Sequence, residues 1–371
     1  QLTFSKQINN LSTDANGVLT INVSDLEVDG AVFEAFDQER YSIHYSNGTI
    51  QPLSSNQVTI TSSTISFTNL LPSQITNVTV NVTAIKTGIK SKTKVLLRSQ
   101  ELQIQQASSG ISTVTAGLSR NDYYGLRVDD EEISFNQPDV TNVVAVYESL
   151  DSGFPTLDVL RFVNGLNLDT KVTIGEQIKG DLSGAIARVV SIATPSSVNI
   201  VYLTENTFEV GELTTFLESK IETNLQAIIE GNYSNITNRF TLDKGQREQF
   251  YDYSRLVRNK NAKAPNKRLL VIYDRFAVPI NDKGDFYTAN SYESDDFSRS
   301  VPMLGDGTLR ASDTLDFRPR VSEFVSLNSS PFAYTSREFG NSGNTVVLVT
   351  TPNESMVVGY DFYLGRRDRV V

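Results

Sequence analysis

The stretch RLLVIYDRFAVP, residues 268–279, is the strongest buried-strand run in the chain. Apolar residues at consecutive positions, with β-branched and aromatic side chains among them, are typical of a strand inside a core. Shorter runs of alternating apolar and polar residues, separated by Gly, Asn, Asp and Pro, extend to both sides of it. Helical periodicity is scarce throughout. The sequence therefore predicts an all-β protein.

Residues 1–105 consist of short alternating runs such as GVLTINVSDLEV and TNVTVNVTAIKT. Asn16-Gly17, Asp29-Gly30 and Asn47-Gly48 separate these runs, as hairpin turns do. This pattern is typical of an antiparallel β-sandwich of the immunoglobulin or fibronectin kind. Because the chain has Cys 0, we expect the sandwich to lack a disulfide.

A change in composition towards Ser, Thr and Gly near residue 106 indicates a second domain, 106–154 together with 232–371. It opens with two strands around a turn at Pro138-Asp139. Residues 155–231 look self-contained, with Gly-Glu turns at Gly175-Glu176 and Gly211-Glu212 that suggest a weak internal repeat. We predict a small inserted β-barrel there. The segment KGQREQFYDYSRLV, 244–257, is a candidate short helix.

Composition excludes several classes of function. With Cys 0 and one histidine, His44, in an alternating segment, a thiolate site, a Ser-His-Asp triad and a His-rich zinc site are disfavoured, so we expect no metal and no cofactor. A formal net charge of −10 argues against a nucleic-acid partner. No apolar run is long enough to insert into a membrane. From a chain that begins with Gln1, we expect a piece of a longer protein.

One motif gathers charges of both signs: RASDTLDFRPRV, 310–321. Two carboxylates alternate in it with three guanidinium groups; the residues are Arg310, Asp313, Asp316, Arg318 and Arg320. Bidentate ion pairs and the fixed backbone of Pro319 favour a structural staple that holds an extended segment. A subunit-interface ion network and a ligand or catalytic site are the alternatives. Nearby arginines would lower the pKa of both carboxyl groups, which disfavours a general acid, and we expect no catalytic residue.

Two further clusters have several interpretations. The acidic stretch NDKGDFYTANSYESDD, 281–296, offers oxygen ligands but lacks EF-hand spacing, so a solvated turn is favoured over a calcium site. A second cluster combines aromatic and basic side chains that suit a core or a subunit interface better than sugar or base stacking. Its residues are Arg247, Phe250, Tyr251, Tyr253 and Arg255.

Five segments in order carry a resemblance: ITNRFTLDKGQREQFYDYSRLV, KAPNKRLLVIYDRFAVP, GDFYTANSY, LRASDTLDFRPRV and DFYLGRRDRVV. They resemble an uncharacterised domain family of tail-fibre and other virion structural proteins of tailed phages, with the nearest likeness to large structural proteins of T4-like cyanophages. The family offers no established chemistry. Its connection before ITNRF is shorter than here, which makes 155–231 look inserted, at an exposed loop tip where insertions are tolerated.

The resemblance implies a virion structural protein, a segment of a tail fibre, baseplate or neck appendage that assembles in the host cytoplasm. Its expected partners are copies of itself, as a homotrimer or another cyclic oligomer, and other tail or neck proteins. The alternative is an adhesin module that binds a host-surface glycan or protein. A polysaccharide depolymerase is a third hypothesis, but the chain lacks the repeats of a β-helix.

Overall fold

The computed structural model describes residues 1–71, 77–109, 116–293, 301–304, 307, 309–339 and 357–359. The protein is all-β, as predicted. The strands of residues 1–92 are β1 (Leu2–Leu11), β2 (Leu19–Asn22), β3 (Ala31–Phe33), β4 (Ser42–His44), β5 (Ile50–Gln51), β6 (Val58–Ile60), β7 (Thr64–Phe67) and β8 (Val78–Lys86).

The later strands begin with β9 (Val95–Ile104), β10 (Gln106–Ala107), β11 (Ser119–Arg120), β12 (Glu132–Pro138), β13 (Val140–Ser149), β14 (Asp158–Phe162), β15 (Gln177–Gly180), β16 (Ile186–Thr194), β17 (Ser197–Tyr202), β18 (Leu213–Phe216) and β19 (Glu222–Ile229). They continue with β20 (Tyr233–Asn235), β21 (Phe240–Asp243), β22 (Tyr253–Arg258), β23 (Leu269–Ala277), β24 (Met303–Leu304), β25 (Leu309–Arg310) and β26 (Val357–Val358).

Within the described residues, helical structure is confined to single turns. The α-helix α1 spans Leu168–Lys171, and 3₁₀ turns span Val23–Leu26, Ser55–Gln57, Thr237–Arg239, Ala289–Ser291, Ala311–Asp313 and Tyr334–Ser336. The helix expected within 244–257 is wrong, because Tyr253–Arg258 form β22, which pairs with β12 and β21. Cross-strand pairing overrides the local sequence preference there.

The chain divides into two compact units. The first contains residues 1–92, 280–286 and 341–371, and the second contains 93–279 and 287–340. The sequence had placed residues 95–104 in the first domain, but β9 pairs along its length with β23 and lies in the second unit. The division therefore falls before β9 rather than near residue 105.

The first unit is an antiparallel β-sandwich. One sheet has the order β26-β1-β8-β4-β5, with β3 also paired to β8, and the other has the order β2-β7-β6. Val78, Val80 and Val82 of β8 are fully buried while residues between them are less so, which is the two-residue period of a half-buried strand.

Two sheets of the second unit share a core. The four-stranded sheet has the order β20-β13-β23-β9, and the three-stranded sheet has the order β12-β22-β21. Leu269, Val271 and Tyr273 of β23 belong to the core between them, while Leu270 and Ile272 belong to a cluster on the opposite face. Because β23 is buried on both faces, its sequence is a continuous apolar run rather than an alternating one.

The corner between β12 and β13 links these two sheets. The predicted turn lies there, but β12 and β13 belong to different sheets and do not form a hairpin. Asp139 alone separates the strands, with a φ of 68°. Asp tolerates this left-handed conformation better than most residues do. The backbone N–H of Phe276 donates to the Asp139 carbonyl at 3.0 Å and fixes the corner against β23.

The six strands β14-β17-β16-β15-β18-β19 form a closed barrel within the range 155–231. It has its own core, which includes Phe162, Ile200 and Phe216. The barrel is not an insertion at an exposed loop tip, because it packs against the rest of the second unit. Val190 and Val201 pack in one cluster with side chains of β13 and β23, so the barrel covers the outer face of the four-stranded sheet.

The two Gly-Glu turns of the barrel are used in the same way. The Glu176 side chain accepts from the backbone N–H of Thr173 and from the N–H and hydroxyl of Ser219. The Glu212 side chain accepts likewise from Glu209, three residues earlier, and from the N–H and hydroxyl of Ser183. Glu176 thus binds the turn that follows Glu212, and Glu212 binds the turn that follows Glu176. Because the two halves of the barrel use the same contacts, the barrel has an internal repeat.

Candidate functional site

The charged motif at 310–321 separates into two parts in the structure. Asp316 is buried, with its side chain 3% exposed, and Arg318 Nη2 donates to Asp316 Oδ2 at 2.7 Å. Arg318 Nε and the Arg318 backbone N–H donate to Oδ1. Arg310 and Asp313 pair with each other at 3.1 Å on the surface, where both side chains are 44% exposed. The first part has the geometry that a staple requires, whereas Arg310 and Asp313 are not part of it.

Backbone bridges hold the segment around Asp316 in an extended state. Tyr287 and Asp316 exchange two N–H···O=C hydrogen bonds of 2.8 Å. The Tyr251 N–H donates to the Pro319 carbonyl, and the Val321 N–H donates to the Tyr251 carbonyl. The motif is therefore clamped between two other segments of the second unit.

These segments converge on one buried lysine, Lys94, and together form what we call the Lys94 cluster. The side chain of Lys94 is 0% exposed, and its Nζ lies 2.6 Å from Asp139 Oδ2. Four aromatic rings surround Nζ, with centroids at 4.3, 4.4, 5.3 and 5.8 Å. The cluster consists of Lys94, Asp139, Tyr251, Phe276, Tyr287, Tyr292, Asp316, Arg318 and Arg320.

Hydrogen bonds and ring contacts join the carboxylate of Asp316 to the aromatic wall. The Tyr251 hydroxyl donates to Asp316 Oδ2 at 2.5 Å. The guanidinium of Arg318 lies over the Tyr251 ring, 4.4 Å from its centroid. Arg320 Nη2 donates to the carbonyls of Phe276 and Pro138 at 2.7 and 3.3 Å. Four of the five resembling segments thus contribute a side chain to this single cluster.

Burial and charge shift the pKa values of the cluster in definite directions. Burial lowers the pKa of Lys94, although the neighbouring Asp139 carboxylate opposes this shift. Burial alone would raise the pKa of Asp316, but hydrogen bonds and charge from Arg318 outweigh it and hold this pKa below its usual value. Burial, followed by the charge of Asp316, raises the pKa of Tyr251 well above its usual value. The site is a dry, ionic environment.

Of the residues predicted to form a core or a subunit interface, Arg247 and Arg255 belong to a second internal network, around Asp252. Asp252 is buried, and Arg337 binds it with two hydrogen bonds of 2.8 and 2.9 Å. Arg255 and Arg247 approach the same carboxylate at 3.2 and 3.5 Å. Burial would raise the pKa of Asp252, but the hydrogen bonds and charge of Arg337 hold it low.

The aromatic residues of the same predicted cluster face the inside of the second unit. Tyr251 and Tyr253 are 0% and 1% exposed. Phe250 packs edge-on against Phe339, with centroids 5.6 Å apart. Tyr251 and Tyr253 are therefore core residues of the second unit rather than surface anchors, because their own chain already covers them.

The acidic stretch and the histidine have structural positions. Asp285 is buried, and Lys86 Nζ donates to its Oδ1 at 2.6 Å within the first unit. Asp282 Oδ1 accepts from the Gly284 N–H. Asp295 and Asp296 lie outside the described residues, as does the last resembling segment, 361–371. His44 ends β4, half-buried beside Ser42 and Asn81.

Lys94 and Asp139 are the residues that sequence reasoning missed. Lys94 opens the run TKVLLRSQELQI, and nothing in its local pattern distinguishes it from an exposed lysine at a strand end. The dipeptide Pro138-Asp139 predicts a turn, but it does not indicate that Asp139 pairs with a buried lysine. Their pairing depends on the meeting of β9 with the β12–β13 corner, which is a tertiary event.

A separate cleft of about 1140 Å³ lies within the second unit. Its lining includes ion pairs between Arg188 and Asp274 at 2.7 Å and between Arg98 and Glu218 at 2.5 Å. Threonine side chains and the aromatic ring of Phe240 also line the cleft. The cleft suits a polar ligand.

Among the residues that the structure describes, no group of three or more His, Asp or Glu side chains is placed to hold a metal ion. Nor does any helix there have the length and apolar character to cross a membrane. Comparisons of the chain with models of protein families, with curated proteins and with solved structures gave no match.

Proposed function

We propose that the chain is a virion structural protein, a segment of a phage tail fibre, baseplate or neck appendage. The observation that carries this proposal is the convergence of four resembling segments on the buried Lys94 cluster. Charged and aromatic residues that could have lined an active site instead form internal ion pairs and ring contacts. Internal ion pairs and ring contacts of this kind make a module rigid, as assembly into a particle requires.

The architecture supports an assembly role. The first unit is a β-sandwich, and the second combines two packed sheets with a closed barrel; β modules of this kind build extended appendages. Exposed edge strands such as the short β5 and β20 are places where copies of the chain can pair. We infer a homotrimer or another closed cyclic assembly, since closure buries such edges.

Proteomics of purified particles tests the proposal. Virions of the phage that encodes this chain are banded in a density gradient, and their peptides are quantified against the major capsid protein. We expect peptides of this chain in constant ratio to capsid peptides across the particle band. A non-structural protein of the same phage is the control. If the chain is abundant in the infected lysate but absent from the band, the proposal is wrong.

A second candidate function, host-surface binding, rests on the polar cleft. Its threonine hydroxyls and paired charges offer hydrogen bonds to a glycan, although Phe240 is the one aromatic ring among the described residues of its lining. Binding of the fluorescently labelled protein to host cells tests this function. The variant Thr241→Arg, at an exposed position of the lining, should abolish such binding and leave the fold intact. Equal binding by both proteins would exclude the cleft.

A further inference from the structure

Three buried polar atoms without hydrogen-bond partners meet in the Lys94 cluster: Lys94 Nζ, Asp139 Oδ2 and Arg320 Nε. Nζ lies 2.6 Å from Oδ2, but this contact lacks the angles of a hydrogen bond. Arg320 Nε lies 3.6 Å from the same oxygen. Ion pairs join the three atoms, but buried polar atoms that lack hydrogen bonds are costly, and three at one point call for a chemical explanation.

The surroundings of Nζ suit a nucleophilic amine. The side chains of Lys94 and Asp139 are 0% and 1% exposed, and the ring wall of the cluster excludes water. Desolvation lowers the pKa of Lys94, although Asp139 opposes the shift. A desolvated lysine is activated in this way in enzymes that use an amine nucleophile.

Both reacting groups are held by rigid backbone. The Lys94 N–H donates to the Ser291 carbonyl at 2.8 Å, at the start of β9. Asp139 is fixed at the β12–β13 corner by its carbonyl bond from Phe276. Reacting atoms kept in contact by rigid elements have much of the entropic cost of reaction removed in advance.

We propose that Lys94 and Asp139 condense to form an intramolecular isopeptide bond. A proton moves from the Lys94 ammonium to the Asp139 carboxylate, which gives an amine and a carboxylic acid. The nitrogen lone pair attacks Cγ of Asp139, and the C–N bond forms. One further proton of the nitrogen then leaves with the carboxyl hydroxyl as water, so that the ammonium and the carboxylate become one amide and one water molecule.

Two neighbours assist this reaction. Negative charge develops on the carboxyl oxygens in the tetrahedral intermediate, and the free Nε–H of Arg320 lies beside Oδ2 to stabilise it. The nitrogen becomes positive in the same intermediate, and the nearby carboxylate of Asp316 interacts favourably with that charge. These are positioning residues, since neither loses nor gains a bond.

The Lys86–Asp285 pair of the first unit provides an internal control. Its Nζ···Oδ1 distance is also 2.6 Å, but this contact has the angles of a hydrogen bond. The other oxygen of Asp285 accepts from the Lys90 N–H at 3.1 Å, and the Lys86 side chain is 9% exposed. Each polar atom is satisfied there, and we expect an ordinary ion pair.

Intact-mass spectrometry of the whole denatured chain tests the proposal. We expect the wild-type mass to be lower than the sequence mass by one water, and a digest to contain a branched peptide that joins Lys94 to Asp139. Cyclisation of Gln1 would instead release ammonia and stay on the N-terminal peptide. Lys94→Met should restore the full mass, while Lys86→Met should retain the loss of water.

The wild-type measurement is decisive even if Lys94→Met fails to fold. A wild-type chain that is folded by circular dichroism and carries its full sequence mass overturns the proposal. So does a loss of water that maps to Lys86 and Asp285 or to any other pair.

Discussion

The substitution Asp316→Asn tests the structural-staple interpretation directly. In the folded chain Asp316 accepts the Tyr251 hydroxyl at 2.5 Å and two nitrogens of the Arg318 guanidinium at 2.9 and 2.7 Å. The substitution removes the negative charge and leaves Arg318 and Tyr251 facing an amide with its own N–H groups. Breaking one partner of a buried ion pair costs about 3–5 kcal/mol, because the remaining charge stays buried.

The size of this effect makes it easy to measure. For a unit of this length, each kcal/mol lowers the midpoint of thermal unfolding by about 2–4 °C, so a loss of about 3 kcal/mol predicts a decrease of about 6–12 °C. Differential scanning calorimetry gives the midpoint, and far-UV circular dichroism follows the same transition in urea. The chain has Trp 0, so tryptophan fluorescence is not an option.

Asp313→Asn is the matched control, since it removes the same charge from the same motif. Asp313 is exposed, and its ion pair within the described residues is with the exposed Arg310, so we expect no measurable change in the midpoint. If Asp316→Asn leaves the midpoint unchanged, or if the two variants are equally destabilised, the staple interpretation is refuted.

Three further predictions follow from the buried carboxylates and from the proposed assembly. The folded-state pKa values of Asp252 and Asp316 lie below their usual values, so the stability that these carboxylates contribute is complete above an unfolded pKa of about 3.9 and is lost as the pH falls through the folded values. The urea midpoint should therefore drop steeply below about pH 4. A midpoint that is constant down to pH 3 would contradict this prediction. Glu212→Ala removes the hydrogen-bond acceptor for Ser183 and Glu209 in the barrel, and it should lower the free energy of unfolding by about 3 kcal/mol, measured in urea. Ser183→Ala should lower it by about 1 kcal/mol in the same assay. Equal losses would show that the glutamate is not the anchor of these turns. Multi-angle light scattering should give a mass that is a multiple of one chain, and a strict single-chain mass at all concentrations would argue against cyclic assembly.

The sequence was sufficient for features with a local cause. The continuous apolar run at 268–279 predicts a buried strand, and β23 is one because both of its faces are covered. The two Gly-Glu pairs indicate a repeat because each sits at a turn, where a glutamate can satisfy nearby N–H groups. Alternation in residues 1–105 predicts the strands of a β-sandwich, because a half-buried strand has one apolar face.

Features that depend on tertiary contacts were not predictable. Residues 95–104 follow the first sandwich without a clear break in composition, and only their pairing with β23 assigns them to the second unit. The composition around Tyr251 and Tyr253 suits a core and an interface equally, and only the surrounding segments show that both tyrosines are buried. Lys94 has no local sign of burial, since four rings and a carboxylate from distant segments create its environment.

The position of the chain in an intact virion tests the proposed function most directly. Electron cryo-microscopy of the phage that encodes the chain, at a resolution that traces the backbone, would locate the closed barrel at 158–229 and the β-sandwich of the first unit. We predict that they lie in a tail, baseplate or neck appendage, in several copies around a symmetry axis. A complete particle map in which every appendage is traced and this chain is absent would contradict the proposal.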